Sequence, residues 1–346
     1  MAVSTTEAAV ERRLLEAARA GDADAFARLV ESHRAQLHAH CYRMLGSLHD
    51  AEDALQEVLL RAWNGLSRFA GRSSLRTWLY RIATNVCLDF IARRPKRVLP
   101  VDYGPQTTGP PTEVGEPLVE SVWVEPYPDE VLGVEDGFAA PEARYEEREA
   151  VELAFIAALQ HLPARQRAVL ILREVLGFSA REVAVSLETT VPAVNSALQR
   201  AHKTVEKQLP EQSQQATLRT LGDERVRDLV EAYIDAWRRG DVAALSQLLA
   251  EDAEFSMPPW AAWWRGRETI AAFAKEAVEV CAVSRTVLTS ANGQPAIAYY
   301  MQVGDSDRWK AGALDVLSLE GSLIKSVTAF IVPEIFERFG LPPELS

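Results

Sequence analysis

The chain has 346 residues, 48% of them hydrophobic, which excludes a wholly disordered protein and leaves room for two or three domains. No stretch reaches the ~18 consecutive apolar residues of a membrane span, and Met1 to Arg13 lack the apolar core of a secretory signal. A cytoplasmic protein with no membrane partner is therefore expected. The formal net charge is −12, which on its own argues against a nucleic-acid partner. Its distribution argues otherwise: residues 1–100 carry +4, residues 101–149 carry −11, residues 150–213 carry +1 and the remainder −6. Local charge governs DNA binding, whereas the total mostly governs solubility.

Cys41, Cys87 and Cys281 lie far apart, in no metal or redox spacing, and read as free thiols. His38 and His40 beside Cys41 fit a packed helix, so neither metal nor cofactor is expected.

In chain order, the first block is helical. Phe26, Leu29, Val30 and Leu37 begin one apolar stripe. Leu55, Val58, Leu59, Ala62, Trp63 and Leu66 make a second, and Leu75, Trp78, Leu79, Ile82, Ala83 and Val86 a third. Ser73 or Ser74 caps the third helix and Pro95 ends it. Asp50, Glu52, Asp53 and Glu57 crowd the start of the second helix, where carboxylates suit the helix dipole. With Gln56 and Arg61 they also fit a protein-docking surface. Around the third helix lie Arg68, Arg72, Arg76, Arg81, Arg93, Arg94, Lys96 and Arg97, with Thr77, Arg81, Thr84 and Asn85 on one polar face. Cations there suit phosphate, and the interleaved aromatics Trp78, Tyr80 and Phe90 suit unstacked bases.

Residues 97–148 form the acidic linker, and nine of the 18 prolines lie between Pro95 and Pro141. Proline and like charge favour an extended, solvated linker. The island Val122 to Asp129 interrupts it, and Trp123 and Tyr127 in that island are expected to dock on another part of the chain.

After the linker, Leu153 to Leu159 and Ala168 to Leu176 read as helices. Ser179 with Glu182 forms a capping box, and Thr190 caps the next helix with Pro192 in its first turn. Two short capped helices joined by a polar turn are a helix-turn-helix signature. Its second helix would present Ala193, Asn195, Ser196, Gln199, Arg200 and Lys203. Amides there can read adenine edges, and the two cations can hold phosphate. From Arg225 to Leu249 two helices break at Gly240-Asp241. Strands follow at Ala253–Met257, Val283–Leu288, Ile297–Val303, Gly312–Leu319 and Leu323–Phe330, with turns at Asn292-Gly293 and Glu320-Gly321. Helices followed by antiparallel strands imply a separate α+β domain.

Three segments together resemble the extracytoplasmic-function group of bacterial sigma-70-type transcription initiation factors. Asp50-Ala51-Glu52-Asp53-Ala54-Leu55-Gln56-Glu57 is similar to the core-polymerase-binding motif of sigma region 2. Ser74 to Asn85, followed by Asp89 and Arg93-Arg94, resembles the part that melts the minus-ten element, and Leu162 to Leu209 resembles region 4, which reads the minus-thirty-five element. The resemblance implies core polymerase and promoter DNA as partners. It assigns core binding to Asp50, Glu52, Asp53, Gln56, Glu57 and Arg61, and minus-ten binding to Arg72, Ser73, Arg76, Thr77, Trp78, Arg81 and Asn85. The recognition helix departs from the family in reading Val194-Asn195-Ser196-Ala197-Leu198 where two cations are usual.

Residues ~222–346 resemble the SnoaL-like cone fold through Met257-Pro258-Pro259, Arg265-Gly266-Arg267-Glu268, Asn292-Gly293-Gln294-Pro295-Ala296 and Phe339-Gly340-Leu341-Pro342. Met257 stands where ketosteroid-isomerase relatives place an aspartate base. Trp260, Trp263, Trp264, Tyr299, Tyr300 and Trp309 are candidates to line an apolar pocket for a small-molecule ligand.

The expected architecture is multidomain. Two all-α sigma domains (15–96 and 149–209), separated by the linker 97–148, precede an α+β cone-shaped domain (222–346) that modulates activity. Two alternatives stand beside it: a catalytic isomerase- or cyclase-like C-terminal domain using Asp252, Glu254 or Asp305, and a helix-turn-helix regulator with a ligand-binding domain.

Overall fold

The computed structural model describes residues 5–108, 114–118, 122–132, 149–281, 284–304 and 307–345. The chain divides into two units that alternate along it: Met1–Arg94 with Leu159–Lys207, and Pro95–Ala158 with Gln208–Ser346.

In the first unit, α1 (Thr5–Arg19), α2 (Ala23–Leu45), α3 (Leu48–Gly65) and α4 (Leu75–Ile91) pack on their apolar stripes. Leu29, Leu37, Leu55, Val58, Leu79 and Val86 are among the residues buried there. Side-chain caps fix the helix starts. Ser47 accepts from Asp50 N at the head of α3, and Ser74, not Ser73, caps α4 by accepting from Thr77 N. Helix α4 stops at Ile91, earlier than Pro95. A proline disfavours helical backbone at the residue before it, so the helix ends short of the ring.

The helix-turn-helix lies in the same unit. Helix α7 (Ala164–Leu170) continues as a π turn through Val175, and Gly177 at φ +69° reverses the chain. Helix α8 (Ala180–Ser186) starts at the Ser179–Glu182 capping box, with both reciprocal bonds formed. Helix α9 (Val191–Val205) starts at Thr190, whose Oγ1 accepts from Ala193 N.

Before these, α5 (Pro100–Tyr103) and α6 (Leu153–Gln160) flank the described parts of the linker. In the second unit α10 (Gln214–Leu221), α11 (Asp223–Arg239), α12 (Val242–Leu248) and α13 (Arg267–Cys281) accompany one sheet. Its strands are β1 (Leu249–Ser256), β2 (Trp263–Arg265), β3 (Ser284–Ala291), β4 (Gln294–Gln302), β5 (Trp309–Glu320) and β6 (Leu323–Phe330). They run in the order β2-β1-β6-β5-β4-β3, with β7 (Glu344–Leu345) paired to β5. Among these described strands only β1 and β6 pair in parallel. Val230, Tyr233 and Trp237 of α11 pack with Phe255, Trp264, Phe273, Ile297, Tyr299 and Leu317 into the domain core.

Parts of the described linker make defined contacts, among them the island Val122 to Asp129 that the sequence sets apart as a docking segment. Val98 bridges Trp123, and Pro128 bridges Ala291. Trp123, Val124 and Tyr127 are buried. Apolar area outweighs the local charge here, because the island supplies aromatic surface that the sheet domain can cover.

Candidate polymerase, promoter and linker-docking sites

The acidic face of α3 divides. Gln56 and Arg61 are exposed, and Glu52, Asp53 and Glu57 half-buried, as a docking surface requires. Asp50 turns inward, 1% exposed, and pairs with Arg94. It therefore serves the helix packing rather than the surface, a correction to its expected place among the docking residues. Arg61 joins Glu57 at 2.7 Å and Asp89 at 3.0 Å, tying α3 to α4 at the surface.

Arg72, Ser73 and Asn85 are exposed around α4, and Thr77, Trp78 and Arg81 half-buried. Trp78 tilts against Phe69 with centroids 4.9 Å apart. Thr84 leaves the expected polar face: it is buried, donates to Tyr80 O and meets His40 Nε2 at 3.0 Å. Burial holds His40 far below the usual imidazole range, at about 3, so it stays neutral. That is the packed-helix environment expected of His38, His40 and Cys41, all of which are buried.

Arg76 is the most enclosed cation of this helix. Its guanidinium lies 5.1 Å from the Tyr80 ring and 4.6 Å from the Phe178 ring, and it donates to Leu176 O at 3.0 Å. Arg167 bridges the same halves of the unit, donating to Met44 O, Gln160 Oε1 and Leu162 O. Desolvation lowers its pKa to about 10, and it remains charged at neutral pH.

On α9, Ala193, Asn195, Ser196, Gln199, Arg200 and Lys203 are all exposed, while Val194, Ala201 and Val205 are buried. The helix thus offers one continuous face holding two amides and two cations, the chemistry of base-edge and phosphate contact.

In the second unit, Trp123 Nε1 donates to Pro259 O at 2.9 Å, and Tyr127 N donates to Asn292 Oδ1 at 2.8 Å. Arg97, 4% exposed, donates to Trp123 O at 2.8 Å and lies 3.3 Å from Glu125. Sequence reasoning found the island but not Arg97, which it counted among DNA-facing cations.

The aromatic residues of this domain do not gather into one pocket. Trp264 and Tyr299 belong to the core. Trp260 packs against that core and donates to Gly115 O, while Trp263 donates to Gly104 O. Tyr300 packs edge-on against Phe336, and Trp309 lies under Arg285. Asp252 pairs with Lys325 and Glu254 with Arg265 at the surface; Asp305 lies outside the described residues. A carboxyl that sequence reasoning missed, Asp315, is buried in the core and accepts from Tyr233 OH at 3.3 Å. Burial raises its pKa to about 7.

A capped helix-turn-helix and a four-helix bundle thus share the first unit. Residues 29–97 match the Sigma-70 region 2 family, residues 152–205 the Sigma-70 region 4 family and residues 230–327 the SnoaL-like domain family. The chain is 42% identical over 322 residues to the ECF RNA polymerase sigma factor SigG of Mycobacterium tuberculosis, spanning 92% of this chain and 85% of the relative. It is 29% identical to the ECF RNA polymerase sigma factor SigW of Bacillus subtilis, over 57% of this chain and 96% of the relative. The crystal structure of the Mycobacterium tuberculosis extracytoplasmic function sigma factor SigJ shares the fold, with a TM-score of 0.57 at 20% identity, covering 90% of this chain and 98% of that one.

The protein belongs to the extracytoplasmic-function sigma factors, here with a SnoaL-like C-terminal domain. It binds core RNA polymerase, recognises promoter DNA and initiates transcription. No helix among the described residues is long and apolar enough to cross a membrane.

Proposed function

We propose that the C-terminal domain regulates initiation by seating the linker, and that it does so without catalysis of its own. The observation that carries this reading is the burial of Trp123 and Tyr127 against Pro259 and Asn292. A tethered docking site acts at roughly millimolar effective concentration, so modest contacts hold the seat closed. Polymerase or a small molecule shifts the balance only by binding one arrangement better than the other.

In the same reading residues 15–96 act as region 2 and 149–209 as region 4. Glu52, Asp53, Gln56, Glu57 and Arg61 meet core polymerase in the cytoplasm. Arg72, Ser73, Arg76, Thr77, Trp78, Arg81 and Asn85 engage the minus-ten element, and the exposed face of α9 the minus-thirty-five element. Asp252 and Glu254 sit in surface ion pairs, which supports a domain that binds rather than catalyses.

Run-off transcription with reconstituted polymerase tests the regulatory role. The full chain with Trp123→Ala and Tyr127→Ala should initiate at a rate different from the parent. Equal rates, with circular dichroism confirming the fold, remove the regulatory assignment. Turnover of a small substrate by the protein would restore the enzymatic one.

A further inference from the structure

The tip of the β3–β4 hairpin grips three separate stretches of chain, and two of them lead directly into and out of region 4. Asn292 adopts φ +57° at the turn, a conformation asparagine tolerates better than most residues. Its Oδ1 accepts from Tyr127 N at 2.8 Å, its Nδ2 donates to Val151 O at 2.7 Å, and its backbone N donates to Tyr127 O at 2.8 Å. Gly293 N donates to Asp129 Oδ1 at 2.8 Å. Gln294 Oε1 accepts from Leu153 N at 2.9 Å, and Gln215 Nε2 donates to Gly293 O at 2.6 Å. Gln215 N in turn donates to Glu152 Oε1 at 2.8 Å, joining the incoming tether to the outgoing one. Asn292, Gln294, Gln215, Glu152 and Asp129 are each at most 4% exposed. A buried, mutually satisfied polar network specifies one arrangement, because any partial opening leaves desolvated groups unpaired.

We propose that Asn292, Gln294 and Gln215 are positioning residues that clasp both tethers of the helix-turn-helix, and that this clasp opens before region 4 takes its place on polymerase. The proposal rests on the regulatory reading above and gives it a latch. With the clasp closed, the described residues between Pro95 and Ala158 belong to the second unit. Once released, that segment can extend by about 3.3 Å per residue. The clasp therefore sets the reach of region 4.

Two full-length variants test this in opposite directions. Asn292→Gly keeps the turn backbone and removes both side-chain bonds. Initiation should rise by about three- to tenfold, the effect of losing one or two net hydrogen bonds from a closed state. Pro128→Cys with Ala291→Cys joins bridge partners whose Cα separation suits a disulfide. Oxidised, this variant should lose initiation; reduced, it should regain it, with the parent protein carried through the same redox cycle. Asn292→Gly initiating at the parental rate, or a locked variant equally active oxidised and reduced, overturns the clasp. If Trp123→Ala and Tyr127→Ala still alter transcription in that case, the regulatory reading stands without the latch.

Discussion

Arg81 Nη2 lies 3.0 Å from Glu188 Oε1, so a cation of α4 is paired with the turn of the helix-turn-helix. Arg76, one helical turn earlier, is stacked between Tyr80 and Phe178. Within this unit, two side chains expected to meet DNA are engaged by protein. The Glu188 side chain is well exposed and that of Arg81 partly so, and pairs this open to water contribute about 0–1 kcal/mol. Glu188→Ala should therefore leave unfolding by denaturant nearly unchanged while raising affinity of the free protein for a single-stranded minus-ten oligonucleotide. Arg76→Ala should cost about 1–3 kcal/mol of stability, through the lost hydrogen bond and ring contacts. Equal stability of the two variants would show that the stacked arginine does not brace the unit.

The recognition helix predicts a division of labour. Ala at Asn195 or Gln199 should change promoter preference, by about 1–3 kcal/mol where a bidentate base contact is lost. Ala at Arg200 or Lys203 should weaken binding to every sequence and lower the salt dependence. Binding isotherms on several promoters at two salt concentrations separate the outcomes.

For the polymerase contact, Asp53→Lys with Glu57→Lys should weaken core binding while α3 stays folded. Asp50→Ala should act differently. It removes the buried partner of Arg94 and should lower stability by about 1–3 kcal/mol, with core affinity retained once the protein is folded. A core-binding titration alongside circular dichroism distinguishes a surface residue from an internal one.

Glu152 and Asp315 set a pH dependence with a definite sign. Burial raises both to about 7, from 4.5 and 3.8 respectively. Hydrogen bonds from the backbone of Gln215 and Gln214 to Glu152, and from Tyr233 to Asp315, oppose the shift without cancelling it. Between the ordinary carboxyl pKa and about 7 the folded state holds protons that the unfolded chain has released, so stability falls as pH rises through that window. The second unit should unfold at lower denaturant at pH 8 than at pH 5.5. Glu152→Gln and Asp315→Asn should each flatten the dependence, and a wild-type slope persisting in the double variant would place its origin elsewhere.

What could be read from the residues was largely local. Ser179 with Glu182, Thr190 and the Asn292-Gly293 turn announce themselves, because a cap or a left-handed residue acts within four positions of itself. The exposed face of α9 follows from the helical repeat once its cap is known. Helix α13 was missed although Ile270, Phe273, Ala274 and Ala277, buried among its described residues, follow the helical repeat; two of the four are alanines, which carry little apolar signal beside the strands on either side. Asp50, Arg97 and Asp315 are charged types at interior positions, and only tertiary packing decides which charge goes inside. The aromatic island told that something would dock, but its partners Pro259 and Asn292 lie over a hundred residues away in sequence.

The alternation of the two units along the chain has a consequence for synthesis. Region 4 is, topologically, an insertion within the second unit, and the sheet that holds the linker begins only at Leu249. The ribosome delivers Trp123 and Tyr127 long before the β3–β4 hairpin that receives them. At roughly 5–20 residues per second, that interval lasts on the order of ten seconds or more. From the moment Lys207 is made, both halves of the first unit are complete while the linker still has no seat. On the proposed reading, a nascent chain, or one that terminates after Lys207, is a sigma factor whose linker has no seat, and the proposed clasp forms only when translation is nearly finished.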